Sequence, residues 1–383
     1  MVITPNGLTI QDRPAELPPP SYEEALGEHI TQWTSRLNTI LAQAEIRVRC
    51  DLSGGKDSRS NLGLLMSTGG SAWKERTHFF SNRSRKEDYR IASLLAKLHG
   101  FRLNSGGWQP PLQSAESTYR QWKYDCLGIY GPVYFPHTRL TSRSILLYGA
   151  GGESYRSFYP LISPEEFIDR HRNAFPREQW FREMKEQVLE DLNRLQGEMT
   201  TPVHPLILHY RNFRDRCHGG RATKSYLVAA PLASKLLSAA ASLTSPEKLA
   251  SGQLIVDLLF NLNPALSLLP YDDPKKSPSL SQLERLSRIS LPANRPEIQG
   301  EVFGMRVTED VVEPYDEKDA IRLMFEDFQD AVTHVKGLDF FPKEYLEGAR
   351  RTLETALSNG RFDHAVAATE AAHVILAGEL ARL

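Results

Sequence analysis

Six consecutive residues, Ser53-Gly54-Gly55-Lys56-Asp57-Ser58, carry the strongest chemical signal in the chain. They fall where an alternating apolar run (Ile46, Val48, Cys50, Leu52) gives way to Leu62, Leu64, Leu65 and Met66, the opening of a helical pattern. A strand therefore turns into a helix at this point. Two glycines let the main chain approach a ligand closely. The amides of the loop and of the helix N-terminus then face an anion, which the helix dipole favours. The hydroxyls of Ser53 and Ser58 add donors for phosphate oxygens. Bare phosphate would repel Asp57, so a carboxylate here implies a bridging Mg²⁺. The competing reading is a tight strand–helix turn that binds nothing. The spacing is not that of a Walker A loop.

A second candidate loop, Gly149-Ala150-Gly151-Gly152-Glu153, ends a buried apolar run from Ser144 to Tyr148. Open α/β sheets bind ligands beyond the carboxyl ends of their strands, which makes Glu153 a candidate ligand rather than a solvated loop carboxylate. Arg156 is spaced either to face an anionic substrate or to form a structural ion pair. His204, His209 and Cys217-His218 lack the spacing of a metal cluster. Arg211, Arg214, Arg216 and Arg221, around Gly219-Gly220, read either as a receiver for phosphate or carboxylate or as helix-surface charge.

These loops need a scaffold. Prolines and Asn6-Gly7 make residues 1–20 an extended arm or short hairpin. Ser21 caps a long amphipathic helix to about Ala44, with Glu24 as its capping-box partner. After the first strand and helix come a strand at Thr77–Ser81, a helix from Arg85 to Leu98 closed by Gly100, and a short third strand at Phe101–Leu103. Residues 113–130 read as helix. Strands alternating with helices and glycine-rich turns indicate a parallel α/β sheet. From Pro164 onward helical patterns dominate, at 164–196, 203–217, 232–261, 281–290, 314–335, 342–358 and 362–381. The Leu and Ala repeat at 353–380 reads as core or as a dimer face. The expected divisions are an arm at 1–20, an α/β core at 21–162 and a helical part at 163–383.

The chain has 383 residues with 46 Lys plus Arg against 47 Asp plus Glu, a net charge of −1. This balance argues against a nucleic-acid partner, which usually demands a basic excess or stripe. Cys50, Cys126 and Cys217 are too few and scattered for a disulfide framework, which suits a reducing cytoplasm. No signal peptide is visible. The longest apolar stretch, Tyr226–Leu243, is interrupted by Pro231 and Lys235 and falls short of the roughly 20 residues of a membrane helix.

The Ser53–Ser58 motif resembles the PP-loop of the ATP pyrophosphatases. Asp51 to Ser58 as a whole is most similar to the synthetase domain of the asparagine synthetases, whose relatives include β-lactam synthetases and lasso-peptide cyclases. Glu87-Asp88-Tyr89 with Ala92, Ala96 and Gly100 resembles the helix after that family's second strand. Gly149–Glu153 resembles its Gly-x-Gly-Ala-Asp-type loop, and Ala230-Pro231-Leu232 with Leu236-Leu237 its Pro-Phe-Leu-Asp helix. The resemblance covers roughly residues 21 to 280. It implies an α/β fold, with a parallel-sheet PP-loop core of the adenine nucleotide α-hydrolase type and a large, mostly helical C-terminal part that completes the substrate pocket. It further implies that Leu52, Ser53, Gly54, Gly55, Lys56, Asp57, Ser58, Ser81, Gly149, Gly151 and Gly152 surround ATP and its pyrophosphate. Asp57 and Glu153 would bind Mg²⁺, and Lys275 or Lys276 would be the catalytic lysine.

The implied activity is an AMP-producing ligase. It adenylates a carboxylate of a small molecule or peptide and transfers the acyl group to an amine. Two departures qualify it. Met1 is followed by Val2, so no glutamine hydrolysis is expected; nitrogen would come from ammonia or an amine, and a separate partner protein or a homodimer stays open. Ala150 replaces the Glu or Tyr of asparagine and β-lactam synthetases, which makes those two activities doubtful. The alternatives are adenylation of another oxygen, such as a tRNA base, or a degenerate nucleotide-binding scaffold.

Overall fold

A four-stranded, all-parallel sheet, formed in spatial order by Thr77–Phe80 (β4), Arg47–Asp51 (β3), Ser144–Leu147 (β5) and Leu227–Ala229 (β6), organises a mostly helical chain. The computed structural model describes residues 2–4, 7–9, 21–105, 114–125, 144–175, 177–198, 203–215, 227–291, 315–334, 341–362 and 369–381.

The arm forms an antiparallel hairpin of β1 (Val2–Thr4) and β2 (Gly7–Thr9). Helix α1 (Tyr22–Ala42) follows, its first turn capped by the Ser21 hydroxyl, which accepts from the Glu24 amide at 3.2 Å. Then come β3 (Arg47–Asp51), α2 (Lys56–Met66), α3 (Ala72–Arg76), β4 (Thr77–Phe80) and α4 (Lys86–His99). Gly100, at φ +67°, closes α4. The guanidinium of Arg76 donates to the carbonyls of Leu41, Gln43 and Ile46, tying the end of α1 to the start of β3. Phe101–Leu103 is not a strand. Only Leu103 bridges to Phe79, because Asn104 turns away at φ +52°.

Helix α5 (Ala115–Asp125) precedes β5 (Ser144–Leu147). The expected helix at 164–196 is two helices, α6 (Pro164–Asp169) and α7 (Glu178–Gly197). Helix α8 (Pro205–His209) passes into a single π turn at Tyr210–Arg214. The back half then supplies a strand between the expected helices at 203–217 and 232–261: β6 (Leu227–Ala229) pairs in parallel with β5. The stretch at 232–261 divides into α9 (Lys235–Ser242), α10 (Pro246–Ser251) and α11 (Gln253–Leu262). Ser245 caps a new helix at Pro246, and Gly252 reverses the chain at φ +75°. Next are α12 (Pro264–Leu268) and α13 (Leu280–Glu284), the latter far shorter than the expected 281–290 helix. Instead, the amide of Asn261 holds this stretch by donating to the Ser287 carbonyl and accepting from the Ile289 amide, at 2.7 and 2.9 Å. The last three helices are α14 (Glu317–His334), α15 (Lys343–Asn359) and α16 (Thr369–Leu380).

Three apolar clusters hold these elements. Beside the sheet, Val48, Cys50, Leu62, Leu65, Phe79, Leu95 and Phe101 pack with Leu37 and Leu41 from the second half of α1. The first half of α1 instead packs on α9 and α11 through Leu26, Ile30, Leu237 and Leu258. The third cluster joins Tyr119 and Trp122 of α5 to Phe328, Leu353 and Ile375. Leu353, Ala356, Ala371 and Ala372 are buried, so the Leu and Ala repeat is core. Within this cluster Lys123 is buried and paired with Asp327 and Glu379 at 2.6 and 2.8 Å, and Tyr119 donates to the same Asp327. No described helix is long and apolar enough to cross a membrane.

Candidate active site

Chain order brings two loops together. β3 leads to β4 on one side, while β5 lies on its other side. The connections leaving β3 and β5 diverge, and the carboxyl ends of such a strand pair are where doubly wound sheets bind ligands. The Ser53–Ser58 loop follows β3 and the Gly149–Arg156 loop follows β5.

Within the first loop the Ser58 hydroxyl receives the Ser53 amide at 3.0 Å and lies 3.0 Å from the Ser53 hydroxyl, which itself accepts from the Gly55 amide at 3.2 Å. The Gly54 amide is taken by the Asp88 carboxylate of α4 at 2.8 Å. Lys56 and Asp57 begin α2. Leu52 plays a different part from its neighbours: its side chain is buried in the core and its amide donates to the Phe80 carbonyl at 2.7 Å. Ser81, just after β4, buries a hydroxyl that has no partner among the described residues, and its main chain pairs with the Asn104 side-chain amide at 2.9 Å.

The second loop is built around Asp57. A Cβ on Gly149 would touch the Asp57 side chain at 3.4 Å, and one on Gly152 would overlap its Oδ1 at 2.1 Å. Gly151 adopts φ +102° and abuts the backbone of Leu232 and Ala233, where a Cβ would stand 2.7 Å from the Ala233 amide nitrogen. The Arg211 Nε donates to the Ser154 carbonyl at 2.8 Å, and the Ser154 hydroxyl donates to Asp215 at 3.1 Å. Arg211 is thus spent on holding the loop. Arg214 lies over the Phe158 ring at 5.0 Å, and Arg216, Arg221 and Cys217-His218 fall outside the described residues. His204 caps α8, accepting from Leu206, and His209 sits in an aromatic cluster with Tyr159, Phe167 and Phe213.

This packing sets Glu153 beside Asp57. Burial raises both carboxyls above the usual carboxylate range; the charge of Asp57 pushes Glu153 further, and Arg156 opposes the rise in each. The Arg156 guanidinium lies 3.1 Å from Asp57 and 3.6 Å from Glu153. Asp57 Oδ1 is buried without an N–H donor among the described residues, and the Glu153 carboxyl, when protonated, is placed to donate to the Asp57 carboxylate. Both carboxylates are half-buried, and Arg156 is the cation that faces them. Among the described residues no group of three or more His, Cys, Asp or Glu is assembled to hold a metal. Mg²⁺ commonly takes one or two carboxylates and completes its shell with water and substrate phosphate. Asp57 and Glu153 fit that manner of binding.

Lys276 joins the site and Lys275 does not. Lys276 pairs with Asp272, whose Cβ rests on Gly54 so closely that a Cβ there would be 2.4 Å away. Lys275 is exposed, and among the described residues its main-chain amide donates to the Asp273 carboxylate. The turn that carries them is fixed by Arg59, a residue without a role in the sequence reading. Fully buried in the first turns of α2, Arg59 donates to the carbonyls of Leu266, Leu269 and Pro270 at 2.9, 2.8 and 2.7 Å, with its guanidinium 3.7 Å from the Tyr271 ring centre. The available signal was a lone arginine on the α2 face shared with Gly63, where that helix packs on Leu262 and Leu266. In the sequence Asp88 stands only within the Glu87-Asp88-Tyr89 match, and Asp272 carries no signal of its own.

The cations crowd one another. Burial pushes the Lys56 ammonium down to about 8, and the Arg156 charge is the next contribution. Lys276 and Arg59 act in the same direction, against Asp57. An arriving anion would relieve that repulsion. Two cavities lie elsewhere: about 480 Å³ at the start of β3 and β4, lined by Arg47, Arg76 and His78, and about 370 Å³ beside Tyr22 and Lys248. Neither reaches the two loops. Comparison of the chain with protein-family models, with curated proteins and with solved structures gave no match.

Proposed function

We propose that the protein is an ATP-dependent, AMP-producing ligase of the asparagine-synthetase-like class, acting in the cytoplasm. One observation carries this reading. The Ser53–Ser58 loop, the Asp57–Glu153 carboxylate pair and Lys276 converge beside the carboxyl ends of adjacent parallel strands. The motif matches quoted above support the same assignment.

In this reading the Ser53 and Ser58 hydroxyls and the loop amides bind the β- and γ-phosphates of ATP. For the Gly54 amide to join them, Asp88 must give it up. Asp57 and Glu153 would hold Mg²⁺, which would supply positive charge to offset that on the departing pyrophosphate. A substrate carboxylate oxygen attacks the α-phosphorus and the bond to the β-phosphate oxygen breaks, leaving an acyl-adenylate and pyrophosphate. An amine nitrogen then attacks the acyl carbon, AMP departs, and the nitrogen loses a proton. Lys56 and Lys276 supply positive charge beside the phosphates in both steps.

The test is Mg²⁺-dependent exchange of labelled pyrophosphate into ATP, with pooled carboxylic acids and an Asp57→Asn control. Exchange that requires a pool and disappears in the control supports acyl-adenylation. Exchange that is equal in the control overturns it.

A further inference from the structure

We propose that Arg156 is a resident counter-ion which a divalent metal displaces, and which then turns to bind the diphosphate of the nucleotide. This rests on the reading of Asp57 and Glu153 as magnesium ligands. The guanidinium lies 3.1 Å from the Asp57 carboxylate and 3.6 Å from that of Glu153. It therefore neutralises the oxygens a metal would need. A guanidinium and a metal ion compete for such a pair, because both act through the same negative charge.

The geometry also says what Arg156 does once displaced. Its stem is fixed, since its Cβ packs on Gly252, where an added Cβ would be only 3.2 Å away. Gly252 is held at φ +75° by the turn between α10 and α11, and the Ser157 amide is bonded to the Ala250 carbonyl at 3.1 Å. Only the outer part of the side chain is free to swing. Asp272 is no alternative partner, because it is already paired with Lys276. Lys56 and Lys276 are the other cations acting on Asp57, so the displaced guanidinium completes a set of three around the loop. A planar fork of donors matches paired phosphate oxygens.

The two roles give effects of opposite sign, which a purely structural ion pair would not. The experiment is calorimetric titration of the full chain at pH 8, first with Mn²⁺ alone and then with inorganic pyrophosphate at saturating Mn²⁺. Arg156→Met, which keeps the stem, should bind Mn²⁺ roughly tenfold more tightly than the wild type and pyrophosphate roughly tenfold more weakly. Arg156→Lys should restore most of the wild-type behaviour in both titrations. Should R156M melt at a much lower temperature, Arg156→Gln takes its place. Unchanged or weaker Mn²⁺ binding in the neutral variant, or two affinities moving the same way, would overturn the proposal. Asp57→Asn separates the underlying reading: if it binds Mn²⁺ as well as the wild type, the carboxylates are not metal ligands and that reading fails first.

Discussion

Asp57 and Gly152 fill one another's space: the carboxylate Oδ1 stands 2.1 Å from where a Cβ on residue 152 would be. A side chain of any size at 152 must therefore push Asp57 out of its place. Gly152→Ala should weaken Mg·ATP binding by roughly tenfold, about 1.4 kcal/mol, while a cooperative melt persists. Gly151→Ala should behave differently. Its backbone is left-handed and meets the Ala233 main chain, so unfolding in urea should show a loss of about 1–3 kcal/mol. Equal effects of the two substitutions on binding would contradict this division.

The lysine pair gives a second contrast. Lys276 is paired with Asp272 against the loop, whereas Lys275 is exposed. Lys276→Ala should lower pyrophosphate affinity by roughly tenfold. Lys275→Ala should leave it within about twofold. Calorimetric titration of both variants decides the matter, and the reverse ranking would remove Lys276 from the site.

How far this arrangement could be read from the sequence depends on the range of the interactions that make it. The Ser53–Ser58 loop was legible because its own serines, glycines and helix start define it locally. The parallel sheet followed from strands alternating with helices, and Glu153 from its place after three glycines at a strand end. The choice between Lys275 and Lys276 was not legible, since it is made by Arg59 reaching from α2 to the Leu266, Leu269 and Pro270 carbonyls. β6 escaped because three half-buried residues, Leu227–Ala229, carry no period to detect. The helical run at 232–261 hid two breaks, at Pro246 and Gly252, because apolar spacing continued through both.

Arg59 supports a third prediction. Removing its guanidinium leaves three inward-facing carbonyls without that donor, and unmet buried polar groups are costly. Arg59→Met should lose about 3 kcal/mol of stability in urea unfolding. Arg59→Lys should recover only part, because an ammonium lacks the planar fork that serves three acceptors at once. Full recovery by lysine would show that charge alone is needed there.

A fourth concerns acid stability. His29 on α1 is fully buried, and neither ring nitrogen has a partner among the described residues. Burial, with a smaller contribution from Arg36, pushes its pKa down to about 3 from 6.5. Below pH 6.5 the unfolded chain binds a proton that the folded chain refuses, so stability is present above that pH and lost as pH falls toward 3. The loss should approach about 1.4 kcal/mol per pH unit in the middle of that window. His29→Leu should flatten this dependence between pH 6 and 4 in urea titrations. Parallel slopes for wild type and variant would sink the assignment.

If the two loops form a magnesium-dependent nucleotide site through Asp57, ATP binding must depend on both the metal and that carboxylate. Calorimetric titration of the wild type and Asp57→Asn with ATP, with and without Mg²⁺, tests it directly. The wild type should bind ATP only when Mg²⁺ is present, and the variant should lose roughly tenfold or more in affinity while melting normally. Absence of ATP binding by the wild type in Mg²⁺, or binding indifferent to the substitution, would contradict it.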